Sequence, residues 1–270
     1  KLLKDVNLTE SVTLDASAIK SGKYIKIDGQ DYTLSTSSVQ QPFQIVGGAD
    51  VAADVEVRIS DLTMESTVAQ ANLLSVAGGK FSLVLDTVTL DTTGASSNDR
   101  ALPIGWNSTE PGTVGIEMTD CTLQASASGY AIMTYNPVEL SIENSALTGY
   151  AALYMYNDNY GNGTGSAGSA VTIDGSTITA NNPYATGSGS DFGAIVFKDK
   201  DIRVDIRNSD ITVNATGTSH HGIVLFDTNT GSSIYTESTD VTLDGNSAHF
   251  IITTRGGSGT LQFGAGTRSN

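Results

Sequence analysis

Three charged residues in the C-terminal third have side chains that could hydrolyse a glycosidic bond. Asp199, Asp227 and Arg255 each follow an apolar run, and the first two runs align when Gly193 is placed over Gly222. Two carboxylates can act as general acid and as base or nucleophile on a sugar, and a guanidinium can hold the substrate. A row of solvated ion pairs on a surface turn is the interpretation that we favour. We therefore predict no catalytic residue and keep this trio as the alternative.

Four aromatic residues in the middle of the chain form a second candidate site, suited to binding. Tyr154 and Tyr156 alternate with apolar residues, so in an extended strand they share the outer face. Tyr135 aligns with Tyr156 one repeat earlier, and Trp106 ends the equivalent strand of the repeat before that. Exposed rings in a row can stack on the faces of sugars. Rings that cover the backbone or lie under loops are the other interpretation.

The remaining polar groups give little support for a metal or a cofactor. The loop 157–163 is rich in oxygen ligands, but it lacks the acidic spacing of an EF-hand, so we interpret it as a flexible turn with Ca²⁺ binding as the weaker alternative. His220 and His221 are adjacent and point to opposite faces of an extended chain, and His249 stands alone. We expect no metal site and no cofactor.

Composition excludes several classes of partner. The chain has 270 residues with 29 Asp and Glu against 14 Lys and Arg, a formal net charge of −15. Such an acidic chain repels phosphate backbones, so we expect no nucleic-acid partner. No run approaches the roughly 18 apolar residues of a membrane span, so we expect no membrane insertion. The single cysteine, Cys121, is predicted to be a buried and unreactive thiol.

A short pattern recurs along nearly the whole chain. It consists of three alternating apolar positions, then a position that is usually Asp or Asn, a small or apolar residue and one more apolar position, as in Val55-Glu-Val-Arg-Ile-Ser-Asp61-Leu-Thr-Met64. The turn positions are 31, 61, 87, 120, 144, 175, 208 and 240, and successive subtraction gives spacings of 30, 26, 33, 24, 31, 33 and 32. Short Asp and Asn side chains bond the local backbone and tolerate left-handed geometry, so we interpret this column as corners.

Each repeat also carries a second strand, such as 43–46, 129–133, 151–155, 193–197 or 222–226. Short alternating strands at a constant period, with almost no helical spacing, predict strands that stack in parallel from one repeat to the next. The predicted fold is an all-β, right-handed, single-stranded parallel β-helix of about eight coils. We expect one domain over 1–270, with 1–35 and 246–270 as its ends or truncation points, and the start at Lys1 suggests a processed piece.

Two segments resemble known β-helix proteins. The opening, Leu2-Leu-Lys-Asp-Val-Asn-Leu8 and Ile25-Lys-Ile-Asp-Gly29, looks like the start of β-helix modules in large bacterial surface proteins. Val171-Thr-Ile-Asp-Gly-Ser-Thr-Ile-Thr179 resembles passenger domains of pertactin-like adhesins and other pectate-lyase-fold proteins. The resemblance covers the repeat pattern along essentially the whole chain and implies a bacterial cell-surface protein.

We therefore expect an extracellular, non-catalytic, adhesin-like surface module that binds carbohydrate or another cell-surface ligand. The same fold carries enzymes, because a fold alone does not decide function. The alternatives are a polysaccharide lyase or glycoside hydrolase and a structural stalk segment. The calcium-carboxylate clusters and the Gly-Arg-Pro-Trp run typical of enzymes on this fold are missing from the sequence.

Overall fold

The protein is described from a computed structural model, which covers residues 1–48, 51, 54–95, 98–106, 108, 112–157, 164–182, 192–215, 221–226, 229–244, 248–253 and 257–269. Twenty-five strands make up nearly all the regular structure of these residues. They are β1 Val6–Asn7, β2 Val12–Asp15, β3 Tyr24–Thr36, β4 Phe43–Val46, β5 Glu56–Ser66, β6 Leu74–Val76, β7 Ser82–Asp91, β8 Arg100–Ile104, β9 Val114–Thr119, β10 Thr122–Gln124, β11 Tyr130–Thr134, β12 Val138–Glu143, β13 Ala146–Gly149, β14 Ala151–Met155, β15 Ala170–Asp174, β16 Thr177–Asn182, β17 Ile195–Phe197, β18 Arg203–Arg207, β19 Asp210–Ala215, β20 His221–Phe226, β21 Asn229–Glu237, β22 Asp240–Asp244, β23 Ala248–Thr253, β24 Ser258–Phe263 and β25 Arg268–Ser269.

Helix is confined, in the part of the chain that the structure describes, to one 3₁₀ turn at Ala16–Ala18. No helix of that part is long and apolar enough to cross a membrane.

The strands stack in parallel into two sheets, which confirms the predicted all-β parallel solenoid. One sheet has nine strands in the order β2-β4-β6-β8-β11-β14-β17-β20-β23, so each strand pairs with its equivalent in the next repeat. The solenoid has about seven turns, close to the expected eight. Parallel strands need long connections, and here the remainder of each coil supplies them.

The other sheet has sixteen strands and bends along its length into two faces. β3, β5 and β7 each run through both faces, and from β9 onward every coil contributes one strand to each face, as with β9 and β10. The first half of β7 pairs with β9 and its second half pairs with β10. The coil is therefore three-sided, with the nine-stranded sheet as its third side.

Left-handed backbone marks the corner between the two faces of the sixteen-stranded sheet. Seven of the eight predicted turn positions have a positive φ there, between 48° and 61°: Asp31, Asp61, Thr87, Asp120, Asn144, Gly175 and Asn208. The prediction of a corner at the eighth position, Asp240, is wrong. Asp240 lies inside β22 opposite Asp210, and the corner is Ser238, with φ of 47°.

Inward side chains fill the coil with stacked aliphatic residues. β12 alternates buried and exposed residues from Val138 to Glu143, as expected for a strand with one face in the core. Beyond the corner the inward column is polar: the Oγ atoms of Ser145, Ser176 and Ser209 each accept a hydrogen bond from the backbone N–H of the preceding coil, at 2.9–3.0 Å. Each hydroxyl also donates to a carbonyl two residues earlier, so these buried polar groups are satisfied.

Cys121 occupies the next position of this serine column and is 1 % exposed, which confirms the predicted burial. Its backbone N–H donates to Ser145 Oγ, and its thiol contacts the carbonyls of Thr119 and Leu85. Burial raises the pKa of the thiol to about 11. The thiolate is therefore disfavoured near neutral pH.

The nine-stranded sheet is buried on both faces over much of its length. All five residues of β14 are buried, as are the last four of β8 and of β11. The side chains on the outer face of this sheet therefore pack against other protein atoms. Because both faces of this sheet are buried, aromatic residues on either face can be covered by other protein atoms.

Candidate functional site

The strand register places the predicted aromatic residues side by side. Thr134 at the end of β11 pairs with Met155 at the end of β14, so Tyr135 and Tyr156 are equivalent positions in adjacent coils. The backbone ladder continues beyond the strands, because Tyr156 N–H donates to Thr134 O at 2.8 Å. The same ladder places Lys198 next, through a 2.7 Å bond from its N–H to Met155 O. The alignment made from the sequence is therefore confirmed for Tyr135 and Tyr156.

Among the described residues, seven rings form a continuous group along this side of the solenoid, here called the aromatic cluster. Successive ring centroids are 4.9–6.1 Å apart, in tilted, edge-on or stacked pairs typical of aromatic contacts. The members, in order of contact, are Trp106, Tyr135, Tyr156, Tyr154, Tyr130, Tyr150 and Phe192.

The cluster is not the exposed strip that the sequence predicted. Tyr135 is 1 % exposed and Tyr154 is 2 % exposed, so the expectation of outward, solvent-facing rings is wrong for these two residues. Both side chains belong to the buried hydrophobic core, and neighbouring rings of the cluster lie against them. Trp106 and Tyr156 are the two predicted rings that remain partly exposed.

Arg100 is one of the residues of this site that the sequence analysis did not identify. Its guanidinium carbon lies 4.2 Å from the centroid of the Trp106 ring. Its Nε donates to Tyr135 Oη at 2.9 Å and also contacts Met133 Sδ at 3.2 Å. Its Nη1 donates to Asn72 Oδ1 at 3.3 Å and to Asn98 O at 3.1 Å. A signal was present in the sequence: Arg100 is the only Lys or Arg between Lys80 and Lys198, a stretch with eleven Asp and Glu.

Tyr135 connects the arginine to the interior of the cluster. Its hydroxyl accepts from Arg100 and contacts Met133 Sδ at 3.1 Å. Burial raises the pKa of Tyr135 well above its ordinary value, and the Arg100 charge only partly opposes this effect. The phenol therefore stays neutral and serves as a fixed hydrogen-bonding group for the guanidinium.

A second cation lies at the other end of the same group of rings. Lys198 is 5 % exposed, and its Nζ lies 5.8 Å from the Tyr154 ring centroid and 5.7 Å from that of Tyr156. Cations attract the negative faces of aromatic rings. The cluster thus combines flat apolar surface, phenolic hydroxyls and two positive groups.

The described structure does not test the acidic alternative. Asp227 and Arg255 lie outside the described residues. Asp199 is described, and its carboxylate accepts hydrogen bonds from the backbone N–H groups of Ala167, at 3.1 Å, and Lys200, at 2.8 Å. Such contacts fix a turn between coils, which is the role of a structural aspartate.

The weaker metal candidates fall largely outside the description. Of the loop 157–163, only Asn157 is described, so the Ca²⁺ alternative remains an untested prediction. His220 is outside as well, and the structure describes only the backbone of His221 and His249. Within the described ranges, no three His, Cys, Asp or Glu residues gather in a way that could hold a metal ion.

Comparisons with known proteins give no match: no protein-family model, no curated protein and no solved structure is significantly similar to this chain.

Proposed function

We propose that this chain is a non-catalytic, adhesin-like module of an extracellular bacterial surface that binds carbohydrate at the aromatic cluster. One observation supports the binding role above all. Trp106 and Tyr156 are both partly exposed and both contact the buried ring of Tyr135, at centroid distances of 5.1 and 5.4 Å. Buried packing holds these two rings in fixed positions, and a rigid ring binds a sugar face at little entropic cost.

The shape of the solenoid favours the same proposal. Consecutive coils repeat the same strand, so residues on one side form an extended surface that suits a chain-like or surface-attached ligand. The resemblance of the repeat pattern to bacterial surface proteins supports an extracellular setting. The stalk alternative uses the same scaffold but assigns no role to the cluster.

Retention on a glycan array tests the proposal. We expect the wild-type chain to bind at least one class of glycan, and Trp106→Ala and Tyr156→Ala to lose most of that binding. Tyr24→Ala is the matched control, because Tyr24 is 58 % exposed, lies at the N-terminal end and stacks with Arg58 at 4.6 Å much as Trp106 stacks with Arg100. Circular dichroism of each variant checks that the β-structure is intact.

Each alternative predicts a different result. New reducing ends or unsaturated products from a polysaccharide panel, with or without Ca²⁺, would reveal an enzyme and refute the non-catalytic assignment. Absence of both binding and turnover would favour a stalk. Equal binding by wild type and by both ring variants would place any glycan site elsewhere.

A further inference from the structure

The positive charge of Arg100 has no acidic partner in the described part of the chain. Its hydrogen bonds go to a phenol, a thioether, a side-chain amide and a backbone carbonyl, all of them neutral. Asp99, the preceding residue, is fully buried, and its carboxylate instead accepts from Ser126 N–H at 2.9 Å and from the hydroxyls of Ser126 and Thr92.

Two other arginines of this acidic protein form ion pairs. Arg58 forms an ion pair with Glu56, and Arg207 forms ion pairs with both Asp205 and Glu237. In a chain with a net charge of −15, the guanidinium of Arg100 is held by neutral acceptors. These neutral contacts hold the guanidinium of Arg100 in place without neutralising its positive charge.

The geometry of these contacts leaves one side of the guanidinium for a ligand. Nε and Nη1 hold the protein contacts, whereas Nη2 makes no hydrogen bond to any described residue. Arg100 and Trp106 are both partly exposed, and the indole lies against the guanidinium. Arginine is well suited to carboxylates because its fork of N–H donors matches their two oxygens.

We propose that the site takes a carboxylate-bearing sugar, whose acid group pairs with Arg100 while its apolar face contacts the exposed part of Trp106. This inference rests on the proposed carbohydrate-binding function and adds the class of ligand. The acidic surface elsewhere repels such a ligand, so we expect binding where the aromatic cluster carries positive charge. The attraction is electrostatic and partly exposed, and therefore weakens as salt concentration rises.

Trp106 is the only tryptophan and provides a built-in reporter, since its fluorescence responds to a ligand at this position. The probes are a uronic-acid oligosaccharide, its methyl ester, a neutral hexose oligosaccharide of the same length, and a sialylated oligosaccharide beside its asialo form. We expect the wild type to bind at least one acidic probe about tenfold more tightly than its uncharged counterpart, as for one charge-assisted contact. Comparing the uronic-acid probe with the sialylated probe shows which of the two kinds of acidic sugar supplies the carboxylate.

Arg100→Gln should reduce the affinity for the acidic probe to that for the neutral one, while Arg58→Gln should leave the preference intact. Calorimetry confirms the affinities independently of fluorescence. The comparison of acid with ester in the wild type needs no variant, so it stands even if Arg100→Gln destabilises the fold. Equal affinity of the wild type for charged and uncharged probes overturns the inference but leaves carbohydrate binding standing. Lack of binding to every sugar overturns both proposals.

Discussion

The carboxylate of Asp99 occupies the space that any side chain at Gly129 would need: a Cβ added to Gly129 would lie 2.4 Å from Asp99 Oδ2. Asp99 is fully buried and belongs to the coil before Gly129. Its acceptor bonds from Thr92 and Ser126 connect the two coils next to the aromatic cluster. A buried carboxylate is retained only where such bonds compensate its desolvation.

Gly129→Ala should destabilise this corner. The methyl group and the carboxylate cannot share the space, so Asp99 must move and weaken its bonds to the next coil, which should lower the free energy of unfolding by about 1–3 kcal/mol. Urea unfolding followed by Trp106 fluorescence measures the loss. Gly48→Ala is the control, since no atom lies within 4 Å of the added Cβ. Equal unfolding curves for the two variants would contradict the proposed steric conflict.

Tyr135→Phe should destabilise the cluster without leaving a large cavity. The change removes the hydroxyl that accepts from Arg100 Nε at 2.9 Å. Loss of a buried acceptor to a charged donor should cost about 1–3 kcal/mol of unfolding free energy. The fluorescence of Trp106 should also shift, because the guanidinium above it loses an anchor. Tyr24→Phe, at an exposed ring, should change neither quantity, and unchanged fluorescence in Tyr135→Phe would show that the phenol does not position Arg100.

Cys121 should make the stability fall at alkaline pH. Burial raises its pKa in the folded state from an ordinary value of 9.0 to about 11, so above pH 9 the unfolded chain releases a proton that the folded chain retains. The contribution is complete below about pH 9 and is lost as the pH rises towards 11. Relative to Cys121→Ser, the wild type should lose about 2 kcal/mol between about pH 8 and about pH 11.

The difference between these two proteins isolates the thiol, because both carry the same lysines and tyrosines. Urea titrations at several pH values give the measurement. A pH-independent difference would mean that the thiol is not protected by burial.

Thr87→Asn should stabilise the protein. Thr87 is the one β-branched residue in the corner column, and its φ of 57° brings a branched side chain close to the backbone. Asn tolerates this conformation better, so the free energy of unfolding should rise by about 1 kcal/mol. Thr89→Asn, two residues later in an extended part of β7, should bring no gain. A loss of stability in Thr87→Asn would show that the Thr87 hydroxyl contributes more than the strain costs.

The corner column shows how far the sequence could predict the fold. Left-handed corners can be predicted from the residue types at Asp31, Asp61, Asp120 and Asn208. Short polar side chains favour that backbone conformation locally. The position of the last corner could not be predicted in this way, because Ser238 and Asp240 are both suitable turn residues and lie two positions apart. Only the pairing of Asp240 with Asp210 decides between them, and this pairing is a property of the stacked strands.

The aromatic cluster shows the complementary limit. Sequence alternation placed Tyr135 and Tyr156 correctly in equivalent positions, since strand register follows from the repeat. It could not show that Tyr135 is buried, because exposure depends on what covers the outer face of the sheet. Nor could it bring Arg100 to Trp106 and Tyr135, because the Arg100–Tyr135 contact spans thirty-five residues and exists only where adjacent coils stack.

The sequence by itself thus determined the repeating strand, its period and most of its corners, since these depend on side-chain alternation and local backbone preferences. The tertiary structure decided which outward side chains meet solvent and which charges lack a partner. Those properties arise from the contacts between coils, and on them depend the site at Trp106 and the assignment of its ligand.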